Sequence, residues 1–258
     1  MSDKCTNKSK ILVVLCLAGT GQRFLDVGIT MPKYFLKHPK NKTSILELII
    51  KNLQLGGCND FLLIVNKRHK NWKDEFIKVE KNLNIDFKIY FTEDTVGQAE
   101  TAYLATNLIN DHHMDLVNLP IAFHNGDTIL KNRDFRMIFN EIESGCYGLI
   151  DTFNSSLRDF SYLLKDDRGY VKDIKEKEVI SNMATSGFYG FLSAAFYNKI
   201  YKETDFSDEE RYISSVYKTM LRLGYKISNL HNNEDGDTLV NVIKNETFFM
   251  PLNTSFSL

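Results

Sequence analysis

The residues most able to do chemistry lie early in the chain. Gly19 and Gly21 follow directly on the apolar run Ile11–Leu17, and Arg23 and Lys33 come soon after. Glycines let a backbone turn sharply and approach another group without a Cβ in the way. A loop of this kind after a buried strand can aim several backbone N–H groups at one anion. Arg23 offers a planar fork of donors and Lys33 a compact point charge, and both suit phosphate. Together these residues predict a triphosphate site at the carboxyl end of the first strand. Two better-known phosphate loops are excluded. A dinucleotide fingerprint needs a third glycine where Phe24 stands, and the Gly-Lys-Ser/Thr of a Walker loop is absent.

The elements that must position this loop follow from periodicity. Ile11–Leu17 is continuous and rich in β-branched residues, as expected of a strand buried on both faces of a parallel sheet. Lys4, Lys8 and Lys10 before it resemble the start of a secretory leader, but the strand reading is preferred because cleavage would remove the loop's support. Ser44 and Glu47 form a capping box, opening a helix with Ile45, Leu48, Ile49, Leu53 and Leu55 on one face and Gly56-Gly57 at its end. Phe61–Val65 reads as a strand, Trp72, Phe76, Val79 and Leu83 as a helix face, and Phe87–Phe91 as a strand. A helix over Gln98–Ile109 comes next, then a strand from Leu119 to Phe123 that leads into Asn125-Gly126-Asp127. Phe135, Ile138, Phe139 and Ile142 mark a helix, and Tyr147–Asp151 a strand.

After about residue 151 the rhythm changes. Tyr162–Lys165 and Tyr170–Ile174 read as a hairpin around Asp166–Gly169, and Thr185–Phe191 as a strand. A helix is predicted over Phe206–Leu223 with Tyr212, Val216, Met220 and Leu223 on one face. Tyr225–Leu230 reads as a strand and Leu239–Ile243 as a short helix. The expected fold is therefore α/β: a Rossmann-like, mainly parallel mixed sheet flanked by helices, with a substrate-binding, β-rich extension in the second half. One domain spans 1–258, with a nucleotide half at about 10–150 and an acceptor half at about 151–258.

Composition narrows the class. Of the 258 residues 43% are hydrophobic and 25% charged, as in ordinary globular domains, and the net charge of −1 predicts no nucleic-acid surface. No apolar run approaches the ~18 residues of a spanning helix, so no membrane partner is expected. Cys5, Cys16, Cys58 and Cys146 are scattered and read as free thiols in the cytoplasm, with Cys16 packed in the first strand. His112 and His113, with Asp111 and Asp115, fit no tetrahedral zinc spacing and read as a polar loop.

Several motifs in order carry a resemblance. Leu17-Ala18-Gly19-Thr20-Gly21-Gln22-Arg23-Phe24 with Pro32-Lys33 resembles the signature of the sugar-phosphate nucleotidylyltransferases, above all small bacterial members from capsule and surface-polysaccharide clusters. So do Thr95–Thr101, Asn125-Gly126-Asp127, Glu176-Lys177 and Ser181–Tyr189. The resemblance implies the nucleotidyltransferase fold, which is like that of GT-A enzymes. It also implies that Leu17, Ala18, Gly19, Thr20, Gly21, Gly97, Gln98, Thr101 and Gly126 bind the nucleotide. Arg23 would stabilise the departing β- and γ-phosphates and Lys33 would sit near the α-phosphate. Gln98 has both the donor and the acceptor that base reading requires. Glu176, Lys177, Ser186 and Gly187 would face the acceptor.

The resemblance further implies a metal, Mg²⁺ with Mn²⁺ as the alternative, on Asp127 and a second carboxylate. Asp235 matches the family's late Asp-x-Gly-Thr, and Asp237 is the alternative. Taken alone, Asn125-Gly126 is also a hairpin signal, Lys172–Glu178 a charged strand edge, and Asp235–Asp237 an acidic turn. The implied substrates are an NTP, with CTP ahead of dTTP and UTP, and a phosphorylated small metabolite. The metabolite would be a sugar 1-phosphate or a non-sugar phosphate such as phosphocholine or phosphoglutamine. A homodimer is open. Two rivals stand beside this reading. Asp235-Gly236-Asp237 is an Asp-x-Asp, the metal motif of GT-A glycosyltransferases, and a non-catalytic nucleotide sensor would share the fold.

Overall fold

The computed structural model describes residues 10–19, 21, 25–26, 28–38, 42–206, 210–232 and 238–239. Thr20, Arg23, Asp235 and Asp237 lie outside the described residues.

The glycine loop leaves an interior strand of the sheet. This is β1 (Leu12–Leu17), which pairs in parallel with β2 (Asp60–Asn66) on one side and β4 (Ile121–Asn125) on the other. β3 (Lys88–Thr92) adds in parallel to β2. Beyond β4 the sheet turns mixed, because β9 (Met183–Phe191) runs antiparallel between β4 and β6 (Gly148–Asn154). β10 (Ile227–Asn232) closes the order β10-β6-β9-β4-β1-β2-β3. The hairpin β7 (Ser161–Lys165) and β8 (Val171–Glu176) joins through Tyr162, opposite Ala184 of β9.

Helices cover both faces. α1 (Ile45–Leu55), α2 (Lys73–Leu83) and α4 (Met137–Glu143) pack on one side. α3 (Gln98–His112), α5 (Ala194–Lys202) and α6 (Ile213–Arg222) pack on the other. Strand periodicity divides β1 between them: Val13 and Leu15 enter the first core, Leu12 and Val14 the second. That is why the run needs no polar alternation. The capping box forms as expected, with the Ser44 amide donating to Glu47 Oε2 at 2.7 Å and the Glu47 amide to Ser44 Oγ at 3.2 Å.

Several expectations are corrected. The helix expected over Phe206–Leu223 begins at Ile213, and Tyr212 is its N-cap. Phe206 instead packs on Tyr201 as part of a connecting segment, and Leu223 is exposed. Helix α5 was not among the expected elements, although its buried Ala194, Tyr197, Asn198 and Tyr201 recur at helical spacing. Leu55 is 76% exposed, because two residues past Leu53 the helical period carries it off the buried stripe of Ile45, Ile49 and Leu53. Asp111 and His112 complete α3 rather than starting a loop, and His113 Nε2 lies 2.7 Å from the Tyr90 hydroxyl. Thr238–Leu239 is a strand, β11, paired with β5 (Ile129–Leu130), so the helix expected from Leu239 does not start there; the rest of that span lies outside the described residues. The same pairing removes the hairpin reading of Asn125-Gly126: β4 pairs with β1 and β9, while β5 pairs with β11.

Candidate active site

A cleft of about 640 Å³ opens over the carboxyl ends of β1 and β4. Two strands thereby deliver two opposite charges. Lys33 stands on a single 3-10 turn after Pro32, and Asp127 two residues past β4. Lys33 Nζ donates to Asp127 Oδ2 at 2.7 Å. Burial works to raise the Asp127 carboxyl, but the Lys33 ammonium and its hydrogen bond hold it below the ordinary carboxylate range. Asp127 therefore stays ionised at neutral pH.

Behind the loop, Asn66 at the end of β2 donates to the Ala18 carbonyl at 2.9 Å, fixing the chain where it leaves β1. Nothing in the sequence pattern singled Asn66 out. A Cβ built on Gly19 meets nothing within 4 Å, so the loop backbone faces open space.

The second wall of the cleft begins at Gly97. Its φ is +145°, and a Cβ there would fall 2.7 Å from the Arg211 backbone nitrogen. Two backbone hydrogen bonds bind the segments together, Arg211 N to Val96 O at 2.8 Å and Ala99 N to Arg211 O at 3.0 Å. Only glycine fits so close a crossing. The Thr101 hydroxyl is held by Thr95 Oγ1 at 2.8 Å and braces the same turn. Gln98 follows at the start of α3, and its Nε2 is buried with no hydrogen-bond partner. The Gln98 side chain lies close enough to the Cys16 thiol to draw that thiol's pKa down. Cys16 is packed in β1 as expected, against the second core, and also borders the cleft; burial pushes its pKa up to about 12 against the pull of Gln98. A buried donor without a partner costs stability and marks a place where a ligand acceptor would be welcome.

The third wall comes from the second half of the chain. Gly187 in β9 has φ +94° and lies under the Asn125 side chain, where a Cβ would clash. Ser186 lines the cleft, and its hydroxyl donates to buried Asp151. Asp151 and Arg133 are 0% and 1% exposed and pair at 2.7 Å. Burial pushes the Asp151 carboxyl up, while Arg133 and Ser186 pull against it. Arg133 also reaches the Thr238 hydroxyl at 2.6 Å. Glu176, at the end of β8, accepts from Ser161 and, at 2.8 Å, from Ser214.

The fold thus brings Gly19, Lys33, Gly97, Gln98, Thr101, Gly126, Asp127, Glu176, Ser186 and Gly187 to one cleft. Leu17 and Gly21 line a smaller cavity that shares Cys16, Gly19 and Lys33 with the cleft, and Ala18 is buried. Lys177 stands at the rim with its Nζ on the Tyr212 hydroxyl, 2.6 Å away. Arg133, Asp151, Ser161, Ser214 and Tyr212 carried no sequence signal for the site. Ser161, Ser214 and Tyr212 are brought to Glu176 and Lys177 by the folding of β7, β8 and α6 against one another, and Arg133 meets Asp151 where the segment after β5 crosses β6.

A cleft beyond the carboxyl ends of parallel strands is where open α/β sheets hold nucleotides, so fold and cleft together define an α/β enzyme of the nucleotide-binding kind. Comparison with known families makes this particular. The nucleotidyl transferase family matches residues 12–236. The chain belongs to that family and is a nucleotidyltransferase.

Solved structures agree on the fold. A nucleoside-diphosphate-sugar pyrophosphorylase from Vibrio cholerae RC9 superposes with TM-score 0.75 at 23% identity, over 88% of this chain and 94% of that one. A UDP-glucose pyrophosphorylase complexed with UDP-glucose gives 0.67 at 16%, over 86% and 90%. A putative glucose-1-phosphate thymidylyltransferase from Bacillus anthracis gives 0.66 at 18%, over 87% of each chain. No curated protein matches the chain significantly in sequence. No helix among the described residues is long and apolar enough to cross a membrane.

Proposed function

We propose that the protein joins an NTP to a phosphorylated small metabolite, giving a nucleoside-diphosphate conjugate and pyrophosphate. The observation that carries this is the Lys33–Asp127 pair, fixed at 2.7 Å where the glycine loop meets the acceptor wall. An acceptor phosphate oxygen attacks the α-phosphorus in line, and the bond to the β-phosphate oxygen breaks. A phosphate monoester is largely ionised near neutrality, with a second pKa of about 6, so no strong general base is required. Positioning and charge stabilisation suffice.

Each wall then has a role. Gly19 and the loop backbone approach the triphosphate, with Arg23 and Thr20 in the same motif. Lys33 meets charge at the α-phosphate. The buried Gln98 Nε2 donates to a ring carbonyl of the base, beside Gly97 and Thr101. CTP is the first nucleotide to try, then dTTP and UTP. Glu176, Lys177, Ser186 and Gly187 receive the acceptor, so residues 10–150 serve the nucleotide and 151–258 the acceptor within one domain.

Asp127 fits a divalent cation: it is an ionised carboxylate on the cleft wall, and Mg²⁺ favours one or two carboxylates completed by phosphate oxygens and water. When bound, such an ion offsets charge on the phosphates. Asp235 or Asp237 is proposed as the second carboxylate, with Mn²⁺ as a substitute metal. Family membership favours this reading over the glycosyltransferase and sensor alternatives. A role in capsule or surface-polysaccharide synthesis, in the cytoplasm, follows from the motif resemblance.

Pyrophosphate release from four NTPs, each offered with sugar 1-phosphates and non-sugar phosphate monoesters, tests the reading. Mg²⁺-dependent release with at least one pair is expected. No release with any pair would overturn it.

A further inference from the structure

Ala18 is the first residue past β1, so its carbonyl has left the strand ladder. A buried carbonyl needs a partner, and here the partner is a side chain. The last pair in the parallel register of β1 and β2 is Leu17 with Val65, which puts Asn66 beside Ala18 one step further along. The backbone of Asn66 is still held in the sheet, in register with Thr92 of β3, and the residue is 1% exposed. Its Nδ2 donates to the Ala18 carbonyl at 2.9 Å.

The remaining bonds of Asn66 hold that amide in one orientation. Nδ2 also donates to Asp94 Oδ1 at 2.7 Å, and Oδ1 accepts from the Arg68 amide at 3.0 Å and from Arg68 Nε at 3.2 Å. Arg68 Nη2 closes the ring on the same Asp94 oxygen. A carboxamide has two N–H donors and two acceptor lone pairs, and Asn66 uses all four. The bond from Asn66, with those from Arg68, holds the Asp94 carboxyl below the ordinary carboxylate range. A flip of the amide would set its oxygen against both the Ala18 carbonyl and the Asp94 carboxylate. The consequence passes through one peptide plane. In a trans peptide the C=O and the N–H that follows it point in opposite directions. With the Ala18 carbonyl turned back to Asn66, the Gly19 N–H points away from it. Gly19 lines the cleft, its N–H has no backbone partner among the described residues, and a Cβ there would meet nothing within 4 Å.

We propose that Asn66 is a positioning residue for the triphosphate: by holding the Ala18 carbonyl it aims the Gly19 N–H at a phosphate oxygen, and Asp94 with Arg68 locks its amide. This rests on the nucleotidyl-transfer reading above. Asn66 does not line the cleft and acts only through the Ala18–Gly19 peptide. Without it the carbonyl loses its partner and the peptide is free to rotate. A rotated peptide turns a carbonyl oxygen toward the phosphates, so a donor is replaced by a repulsive acceptor.

The test labels the full chain with ¹⁵N-glycine and titrates it with pyrophosphate and Mg²⁺, a probe that meets the phosphate loop without base or acceptor. In the wild type the Gly19 amide signal, identified by its absence from Gly19→Ala, should shift. In Asn66→Ala that shift should largely vanish, and calorimetry should show pyrophosphate and CTP both binding about tenfold more weakly. Asp94→Ala, at an exposed position, should show a smaller loss of the same kind even if Asn66→Ala does not fold. A lower melting temperature with unchanged affinities and an unchanged Gly19 shift would make Asn66 a structural residue only. The same result in Asp94→Ala, with Asn66→Ala unfolded, would overturn the assignment too. Either outcome leaves nucleotidyl transfer standing, whereas a wild-type chain that binds neither pyrophosphate nor any NTP would remove both.

Discussion

Asp127 separates a chemical role from a structural one. Its side chain is partly exposed and, among the described residues, its ion pair is with Lys33, so losing the charge should cost about 1 kcal/mol of stability or less. Asp127→Asn should therefore fold normally, yet lower Mg²⁺-dependent turnover by roughly a hundredfold or more. Near-normal turnover in a steady-state assay would return Asp127 to a turn residue. Gly19→Val is a cleaner probe of the loop than a change at Gly21. Gly21 has φ +65°, which strains any side chain, whereas Gly19 has open space around it. NTP affinity should fall tenfold or more with little change in melting temperature, in line with losing several charge-assisted bonds; calorimetry with CTP would show this. His124 gives a pH prediction. Its Nε2 lies 3.0 Å from the Thr128 carbonyl and its Nδ1 3.3 Å from that of Gly187. Burial, only partly opposed by these carbonyls and by Asp127, lowers its pKa to about 4. The folded state thus disfavours the proton, and the unfolded state takes it up first. The stabilisation is complete above pH 6.5 and is lost as pH falls toward 4, by about 3 kcal/mol. Denaturant melts of His124→Gln should show a flatter profile across that window. An unchanged slope would assign the acid sensitivity elsewhere. At this scale the sequence was most legible where residues were contiguous: Gly19, Lys33, Gln98 and Asp127 all reach the cleft. Asn66 and Asp151 were not legible, because each acts through a partner distant in the chain.

Elements explain that difference. β1 was readable because both of its faces are buried, and α1 because its capping box is local in sequence. α5 was not, since its buried residues Ala194, Tyr197, Asn198, Ile200 and Tyr201 include polar and small types. The late β5–β11 pairing was also hidden, as it joins two-residue strands 108 positions apart from Leu130 to Thr238. What holds that pairing in register is the buried Arg133, which links Asp151 of β6 to Thr238 of β11. Removing one partner from such a pair strands a buried charge. Asp151→Asn should cost about 3–5 kcal/mol, whereas a double change to Arg133→Met with Asp151→Leu should cost less than the sum. Additive losses in chemical denaturation would show that the two side chains act independently.

Over the whole molecule, one sheet carries both halves of the proposed site. β1 and β4 present the glycine loop and Asp127, and β9 inserts antiparallel beside them to present Ser186 and Gly187. Binding should then stabilise the entire chain. An NTP with Mg²⁺ at about 100 times Kd adds about 2.7 kcal/mol, or about 5–10 °C in melting temperature for a chain of this size. EDTA should reverse the shift if metal contributes to affinity; a shift indifferent to EDTA would place NTP binding outside the metal site. The alternation of strands and helices made this architecture legible, but the reversal at β9 was not, since strand direction has no signature in periodicity. The crossing at Gly97 has a consequence for how such a protein could diversify. Because Val96 and Ala99 grip the Arg211 backbone, the turn before α3 and the approach to Tyr212 move as one piece. The Arg211 side chain tightens that grip, donating to Glu100 at 3.1 Å and to the Tyr201 hydroxyl at 2.8 Å, and an insertion ahead of Tyr212 would shift both segments together. Lineages that acquire a larger acceptor by lengthening this connection should be found to have changed nucleotide as well.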